Sequence, residues 1–359
     1  MITQTTGEQV KRAPHGVRKL LRFLESEKKR IAPLLVLTHD YPDPDALASA
    51  FALQYLASQK FGIRADIAYG GIVGRNENKK MVEALDLPVR RLTPRDLKEY
   101  KGIALVDTQP AFRNNSFPDN KAATIIIDQH SSAQPPVADF IIVDPEAGAT
   151  SVVLAETLLA SGIKIPRNLA TALAYGILSD TLNLHRNSRP RTVGAYLAML
   201  PLSDITALAQ IQYPTRPKIF FTNFVDGLEG ATIRGQLIVS HLGVVENPDE
   251  VSQMADFLLT CEGMRWSFCT GRIREFLHMS LRGADLTMDA GQVLRDTLAN
   301  AGQAGGHAAV AGGKLRIGKN RKETTWVLIE QLLERKLSEH LHGGGSGRSI
   351  PLLRRRRSR

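Results

Sequence analysis

No stretch of this chain approaches the roughly 18 consecutive apolar residues that a membrane-spanning helix requires. The opening segment, MITQTTGEQVKRAPHG, lacks the apolar centre of a secretory leader. Cysteine is scarce. Cys261 and Cys269 are the only two, with neither metal-type spacing nor the numbers for a disulfide framework. No internal repeat is visible. A cytoplasmic protein with no membrane partner is the expectation, and 359 residues are enough for two ordinary domains with real cores.

Basic charge is also missing from the body of the chain. The net charge is +10, but residues 1–30 carry +5 and residues 343–359 carry +6, which leaves the body near −1. A long nucleic-acid strand would want an extended basic track, so small substrates fit better. The RRRRSR tail suits RNA or an anionic surface, but a solvated disordered tail is the favoured reading.

What is present alternates. HGVRKLLRFLESEKKR (15–30) has helical periodicity and forms a basic lead-in over 1–30. PLLVLTHD, GIRADIAYGG, KGIALVDT, ATIIIDQH and ADFIIVDP are short apolar runs of the buried-strand type. Between and after them lie helical stretches, among them ALASAFALQYLASQ, NENKKMVEALDL, TSVVLAETLLASG and RNLATALAYGILSD. This predicts an α/β domain on a mostly parallel sheet over 31–205. A helical connector, 206–229, is broken by Pro214 and Pro217. A smaller α+β domain over 230–341 follows. In it, ATIRGQLIVSHLGVV, RWSFCTGRI and EFLHMSLRG read as strands, DEVSQMADFLLTC and KETTWVLIEQLLERKLSEHL as helices, and the glycine-rich stretch between as a loop. GGGSGRS opens a disordered Arg-rich tail, 342–359.

Several apolar runs end on ionisable groups: His39, Asp107, and Asp128 with His130 just beyond, while a helix brings in Asp180. Ligands of open α/β sheets bind beyond the carboxyl ends of the strands. One strand-terminal Asp is usually a turn cap. Several converging carboxylates repel unless a cation sits among them, which favours a metal site. In THDYPDPDALASA, the acids Asp43 and Asp45 stand two apart in an extended turn and splay to two sides, so each can serve a different metal. The bland alternative is an Asp/Pro turn with Asp45 as helix N-cap.

HDYPDPDALASA, ALVDT, DQH and GILSDT together resemble the four motifs of the DHH phosphoesterase superfamily. GQAGGHAAVAGG and HMSLRG resemble the glycine–glycine–histidine loop and the serine–leucine–arginine strand of the associated DHHA1 domain. The likeness covers about residues 31–320. Known members include nanoRNA hydrolases, phosphatases of adenosine 3′,5′-bisphosphate, cyclic-dinucleotide phosphodiesterases, RecJ-type exonucleases and manganese pyrophosphatases. The resemblance implies two divalent cations, Mn²⁺ or Mg²⁺. His39, Asp43 and Asp107 would hold one, and Asp45, Asp107 and Asp180 the other, with Asp107 bridging. Asp128 and His130 would orient the site and bind the scissile phosphate. Ser280, Arg282, Gly305, Gly306 and His307 would bind substrate from the second domain across a closing cleft. GGHAAVAGGK is not a P-loop, because no Ser or Thr follows Lys314. His185, Arg186 and the loop GGIVGRNEN (70–78) are weaker candidates for substrate contact.

Gln129 departs from the pattern. The family places there an imidazole ligand of the second metal. A neutral amide oxygen with three carboxylates suits Mg²⁺ or Mn²⁺ and should bind more weakly. The expected function is metal-dependent hydrolysis of short oligoribonucleotides or nucleotide bisphosphates, as in the nanoRNase and pAp-phosphatase branch. The alternatives are a cyclic-dinucleotide phosphodiesterase, or a catalytically impaired nucleotide- or RNA-binding regulator that uses the Arg-rich tail. A homodimer is left open.

Overall fold

The computed structural model describes residues 14–284, 288–299, 301–307, 309–342 and 348–353. It divides into two units, Met1–Pro214 and Thr215–Arg359. The boundary falls inside the expected connector. The helix Ile205–Gln212 belongs to the first unit and Lys218–Glu229 to the second.

The first unit holds six parallel strands: β1 Leu34–Leu37, β2 Ala65–Tyr69, β3 Val89–Arg91, β4 Gly102–Val106, β5 Ala123–Asp128 and β6 Ala138–Val143. Their order is β3-β2-β1-β4-β5-β6. The helices are α1 His15–Ile31, α2 Pro44–Phe61, α3 Asn76–Ala84, α4 Asp96–Glu99, α5 Thr150–Ser161, α6 Arg167–Asp180, α7 Pro190–Met199 and α8 Ile205–Gln212. The strands read as continuous apolar runs because both faces are covered. Leu34, Val36, Ala104, Val106, Ile125 and Ile127 pack in a layer with α1, α2, α5 and α6. Leu35, Leu37, Ile103, Leu105 and Ile126 pack on the other face with Tyr100 and Phe117. Each Leu, Ile or Val among them, fully buried, contributes about 1.5–3 kcal/mol. In this unit β3, α4 and α7 escape the sequence reading. β3 is a three-residue edge, too short to show a period.

The second unit is a mixed seven-stranded sheet in the order β11-β12-β10-β9-β8-β7-β13, antiparallel except for β8 with β9. Its strands are β7 Thr232–Arg234, β8 Leu237–Val244, β9 Trp266–Ile273, β10 Phe276–Gly283, β11 Gln303–His307, β12 Val310–Arg316 and β13 Ile350–Pro351. Its helices are α9 Lys218–Glu229, α10 Pro248–Leu258, α11 Ala290–Leu298 and α12 Glu323–His342. The expectation of an α/β domain with a parallel sheet and a smaller α+β domain holds.

Three local expectations change. ATIRGQLIVSHLGVV is two strands, since Gly235 turns the chain at φ +59°. The glycine-rich stretch is a hairpin, β11–β12, rather than a loop. Its glycines serve close approach: a Cβ on Gly306 would stand 2.3 Å from the Val310 carbonyl oxygen. Finally, the presumed tail contributes an edge strand, with Ile350 opposite Ile233. The run 354–359, on which RNA contact was expected, lies outside the described residues. Among the described residues no single helix is long and apolar enough to cross a membrane.

Candidate metal centre

Strand order reverses at the seam between β1 and β4, which leaves a crevice at their carboxyl ends. Leu37 pairs with Leu105 across that seam, so His39 and Asp107 leave the sheet side by side. β5 is level with them, because the Asp107 N–H donates to the Ile127 carbonyl at 2.9 Å. Asp128 therefore ends its strand beside Asp107. Convergence of the three strand ends is a product of register.

Asp107 sits at φ +57°, in the left-handed region that aspartate tolerates better than most residues. Thr150 Oγ1 donates to its Oδ1 at 2.8 Å. His39 Nε2 stands 3.8 Å from Asp43 Oδ1 and 3.9 Å from Asp107 Oδ2. His130 Nδ1 is 2.9 Å from Asp128 Oδ1 and 3.6 Å from Asp107 Oδ1. Donor atoms of His39, Asp43 and Asp107 lie within 4.8 Å of one another, and so do those of Asp107, Asp128 and His130.

The loop that carries Asp43 is fixed from both sides. Pro44 opens α2 with its φ already helical. The N-cap is Asp43 rather than Asp45, accepting from the Ala46 N–H at 3.0 Å. Asn78 Nδ2 donates to the Pro42 carbonyl at 3.1 Å. Asp45 turns instead to another helix and accepts from the N–H groups of Thr150 and Ser151, each at 2.7 Å, at the positive end of α5.

Electrostatics follow from this crowding. Burial and then the charges of Asp45, Asp43, Asp128 and Asp180 hold the Asp107 carboxyl well above its ordinary range. Burial, Asp180 and Asp43 push Asp45 up to about 8. Asp180 is raised by burial and Asp43, against the hydrogen bond from Gln129. Burial opposes ionisation of Asp43, but His39 beside it prevails and brings it to about 2. Burial likewise opposes charge on His130, and its bond to Asp128 outweighs that, raising it to about 9. Carboxylates that resist one another's ionisation, flanked by imidazoles, form a donor set that fits a divalent cation.

The model of the DHH family, N-terminal domain, matches residues 33–177. An uncharacterised protein of Methanocaldococcus jannaschii is 33% identical over 333 residues, which is 90% of this chain and 67% of that one. The chain belongs to the DHH family. A probable manganese-dependent inorganic pyrophosphatase of Lactobacillus delbrueckii subsp. bulgaricus is 28% identical over 156 residues, 42% of this chain and 48% of that one. The chain thus spans 67% of the length of the first of these relatives and about half, 48%, of the second. The crystal structure of an exopolyphosphatase-related protein from Bacteroides fragilis shares the fold, with a TM-score of 0.71 and 17% identity over 90% of this chain and 96% of that one.

Within this DHH chain the second expected ligand set is arranged differently from the first. Asp45 and Asp180 fall outside both compact donor groups found among the described residues. Gln129 presents its amide nitrogen, not its oxygen, to Asp180 Oδ2. To act as a ligand beside Asp180 the amide must turn over.

The expected substrate residues of the second unit form two rows across β10, β12 and β11. Ser280 aligns with Gly312 and Gly305, and Arg282 with Val310 and His307. Ser280 is buried, and its Oγ has no hydrogen-bond partner. Arg282 is buried against Asp256, its Nε donating to that carboxylate at 2.5 Å. The His307 side chain lies outside the described residues. Among the weaker candidates, Arg186 Nε donates to the Asp180 carbonyl at 3.1 Å, His185 is exposed, and the 70–78 loop packs its Gly71 closely over Asp40.

Sequence reasoning missed Gln109 and Thr150. Gln109 is wholly buried and donates to Asp128 Oδ2 at 2.8 Å and to the His130 carbonyl at 2.6 Å. An amide two residues past a strand-end acid was the available signal, and it is weak. Thr150 opens a helix 43 residues from its partner Asp107, and nothing local announces it.

Proposed function

We propose that this protein is a divalent-metal-dependent phosphoesterase that hydrolyses short oligoribonucleotides or nucleotide bisphosphates. The observation that carries the proposal is the meeting of His39, Asp43 and Asp107 with Asp128 and His130 at the seam of the parallel sheet. The manganese in the name of the Lactobacillus relative supports Mn²⁺ as the preferred ion. His39, Asp43 and Asp107 would hold the tighter cation. Asp45, Asp107 and Asp180 would hold a weaker second one, because the Gln129 amide nitrogen occupies Asp180. When bound, such cations supply Lewis-acid stabilisation of a phosphoryl group and acidify water.

The chain's own residues do the rest. Asp128, held by Gln109 and by the His130 backbone N–H, fixes the His130 ring beside the cluster, where it can pair with a phosphate oxygen. Asp107 has its carboxylate oriented by Thr150 before any ligand arrives. Ser280, Gly305, Gly306, His307 and Arg282 are proposed to recognise substrate. The near-neutral body favours short substrates, and the cytoplasm remains the proposed setting.

The test is hydrolysis of a labelled RNA dinucleotide and of adenosine 3′,5′-bisphosphate with Mn²⁺, beside Asp107→Ala. Cleavage that this variant abolishes supports the proposal. Nucleotide binding without turnover at any Mn²⁺ concentration would replace the hydrolase with a binding module.

A further inference from the structure

A cavity of about 680 Å³ opens within the second unit, over β7, β8 and β9 and against α12. Its volume is in the range of small-ligand sites. It lies on the face of the sheet opposite Arg282: Thr270 and Arg272 of β9 bond to Glu330 of α12, whereas Arg282 bonds to Asp256 of α10. It is therefore separate from the residues proposed above to bind substrate.

The charges around it are unevenly spent. Arg272 is fully engaged, with Nε and Nη2 on Glu330 at 3.1 and 2.7 Å and Nη1 on Glu323 at 2.6 Å. Arg234 Nε is buried with no acceptor, and its Nη2 stands 3.5 Å from Glu334. His241 Nε2 is buried with no hydrogen-bond partner, 3.6 Å from the other oxygen of Glu334. Arg335 lines the cavity, is exposed, and makes no hydrogen bond or ion pair among the described residues. The Arg234 Nε–H is a buried donor without an acceptor, so a ligand that accepts from it is favoured.

Hydrogen bookkeeping narrows the ligand. Thr270 gives its single hydroxyl hydrogen to Glu330 at 3.1 Å, so it accepts from His241 Nδ1 at 2.9 Å. With that hydrogen on Nδ1, the neutral imidazole offers Nε2 as an acceptor beside Glu334, while Arg234 and Arg335 line the same cavity as donors. A fully deprotonated oxyanion would be drawn by the arginines and repelled by Glu334. An oxyanion that keeps a proton resolves the conflict, because its O–H donates to Glu334 while its other oxygens accept.

We propose that this cavity binds inorganic phosphate as hydrogen phosphate, between Arg234, His241 and Arg335, with Glu334 accepting the phosphate proton. Sulfate has the same shape and no proton to give at neutral pH, so the site discriminates against it. The site is independent of the metal centre.

The test is calorimetric titration of the EDTA-treated full chain with sodium phosphate and with sodium sulfate near neutral pH. One saturable phosphate per chain is expected, with sulfate at least about tenfold weaker, the equivalent of one charge-assisted hydrogen bond. Arg335→Ala removes an exposed, unpaired side chain without touching the fold and should weaken phosphate about tenfold. Glu334→Gln should bring sulfate to within about threefold of phosphate, since the repulsion is gone. Asp107→Ala should change nothing. Absence of saturable binding, equal affinity for the two anions, indifference to both cavity variants, or loss of binding in Asp107→Ala would each overturn the proposal.

Discussion

The side-chain amide of Gln129 donates a hydrogen bond to the carboxylate of Asp180. Both residues are expected ligands of one cation, yet here they satisfy each other. An ionised carboxylate only accepts, so the amide must offer it nitrogen, and its oxygen faces elsewhere. Under the proposed ligand assignment, that contact would weaken the second metal position and leave the first untouched.

Gln129→His removes the amide donor and restores an imidazole. Manganese titration by calorimetry should then show a second equivalent binding about tenfold or more tighter than in the parent, with dinucleotide hydrolysis rising alongside it. A second equivalent unchanged in affinity would show that Gln129 does not limit that position.

Asp107→Asn keeps the shape and the left-handed backbone, which asparagine also tolerates. Removing one of several repelling buried carboxylates should leave the melting temperature of the metal-free protein equal or higher. The manganese-induced rise in melting temperature should disappear, and hydrolysis should fall by about a thousandfold or more. A metal-induced shift that persists would remove Asp107 from the ligand set.

The pH dependence of the metal-free protein has a definite sign. Asp45, pushed up to about 8, and His130, raised to about 9, hold protons in the fold that the unfolded chain releases at lower pH. The folded state then binds more protons, so stability falls as pH rises through that range. Asp43, lowered to about 2, acts the other way, but only below the ordinary carboxylate range. Melting of EDTA-treated protein should therefore drop between about pH 5 and pH 9. With saturating Mn²⁺ the slope should flatten or invert, because the ligands must shed protons to bind the ion. A metal-free profile that rises with pH would contradict the cluster's electrostatics.

Gln109→Leu keeps the buried volume but loses both hydrogen bonds that steady Asp128 and His130. Turnover should fall about 10- to 100-fold, as for other residues that hold a ligand in place. Manganese affinity at the His39 position should change little. If kcat is unaffected while stability drops, Gln109 is structural only.

Gly176→Ala tests how α6 brings Asp180 in. A Cβ there would stand 2.5 Å from Ser151 Oγ and 3.1 Å from the Ala48 Cβ, so helices must separate. About 1–3 kcal/mol of stability should be lost, read from urea unfolding, and the weaker metal equivalent should weaken further. A fully stable variant would mean the interface yields more easily than its packing implies.

Much of this was legible in the chain. The strand ends at His39, Asp107 and Asp128 showed as apolar runs closing on ionisable groups, since a strand buried on both faces must be apolar until it leaves the sheet. The four acidic motifs could be read in order because each belongs to a short local segment. The glycine-rich hairpin was less legible, for Gly306 is there to let strands approach, and composition alone could not separate that from a loop.

The two-domain α/β and α+β plan, the acids at the strand ends and the departure at Gln129 are all readable in the chain. Those features depend on local pattern, whose periods of 2 and 3.6 residues are written in the chain. Tertiary packing settles that Asp45 serves the N-terminus of α5, that the Gln129 nitrogen faces Asp180, that Gln109 steadies His130, and that Arg234 Nε and His241 Nε2 lack hydrogen-bond partners beside a cavity. Each of these joins residues that distant segments bring together, and which hydrogen-bond partner a buried polar group takes is settled by packing.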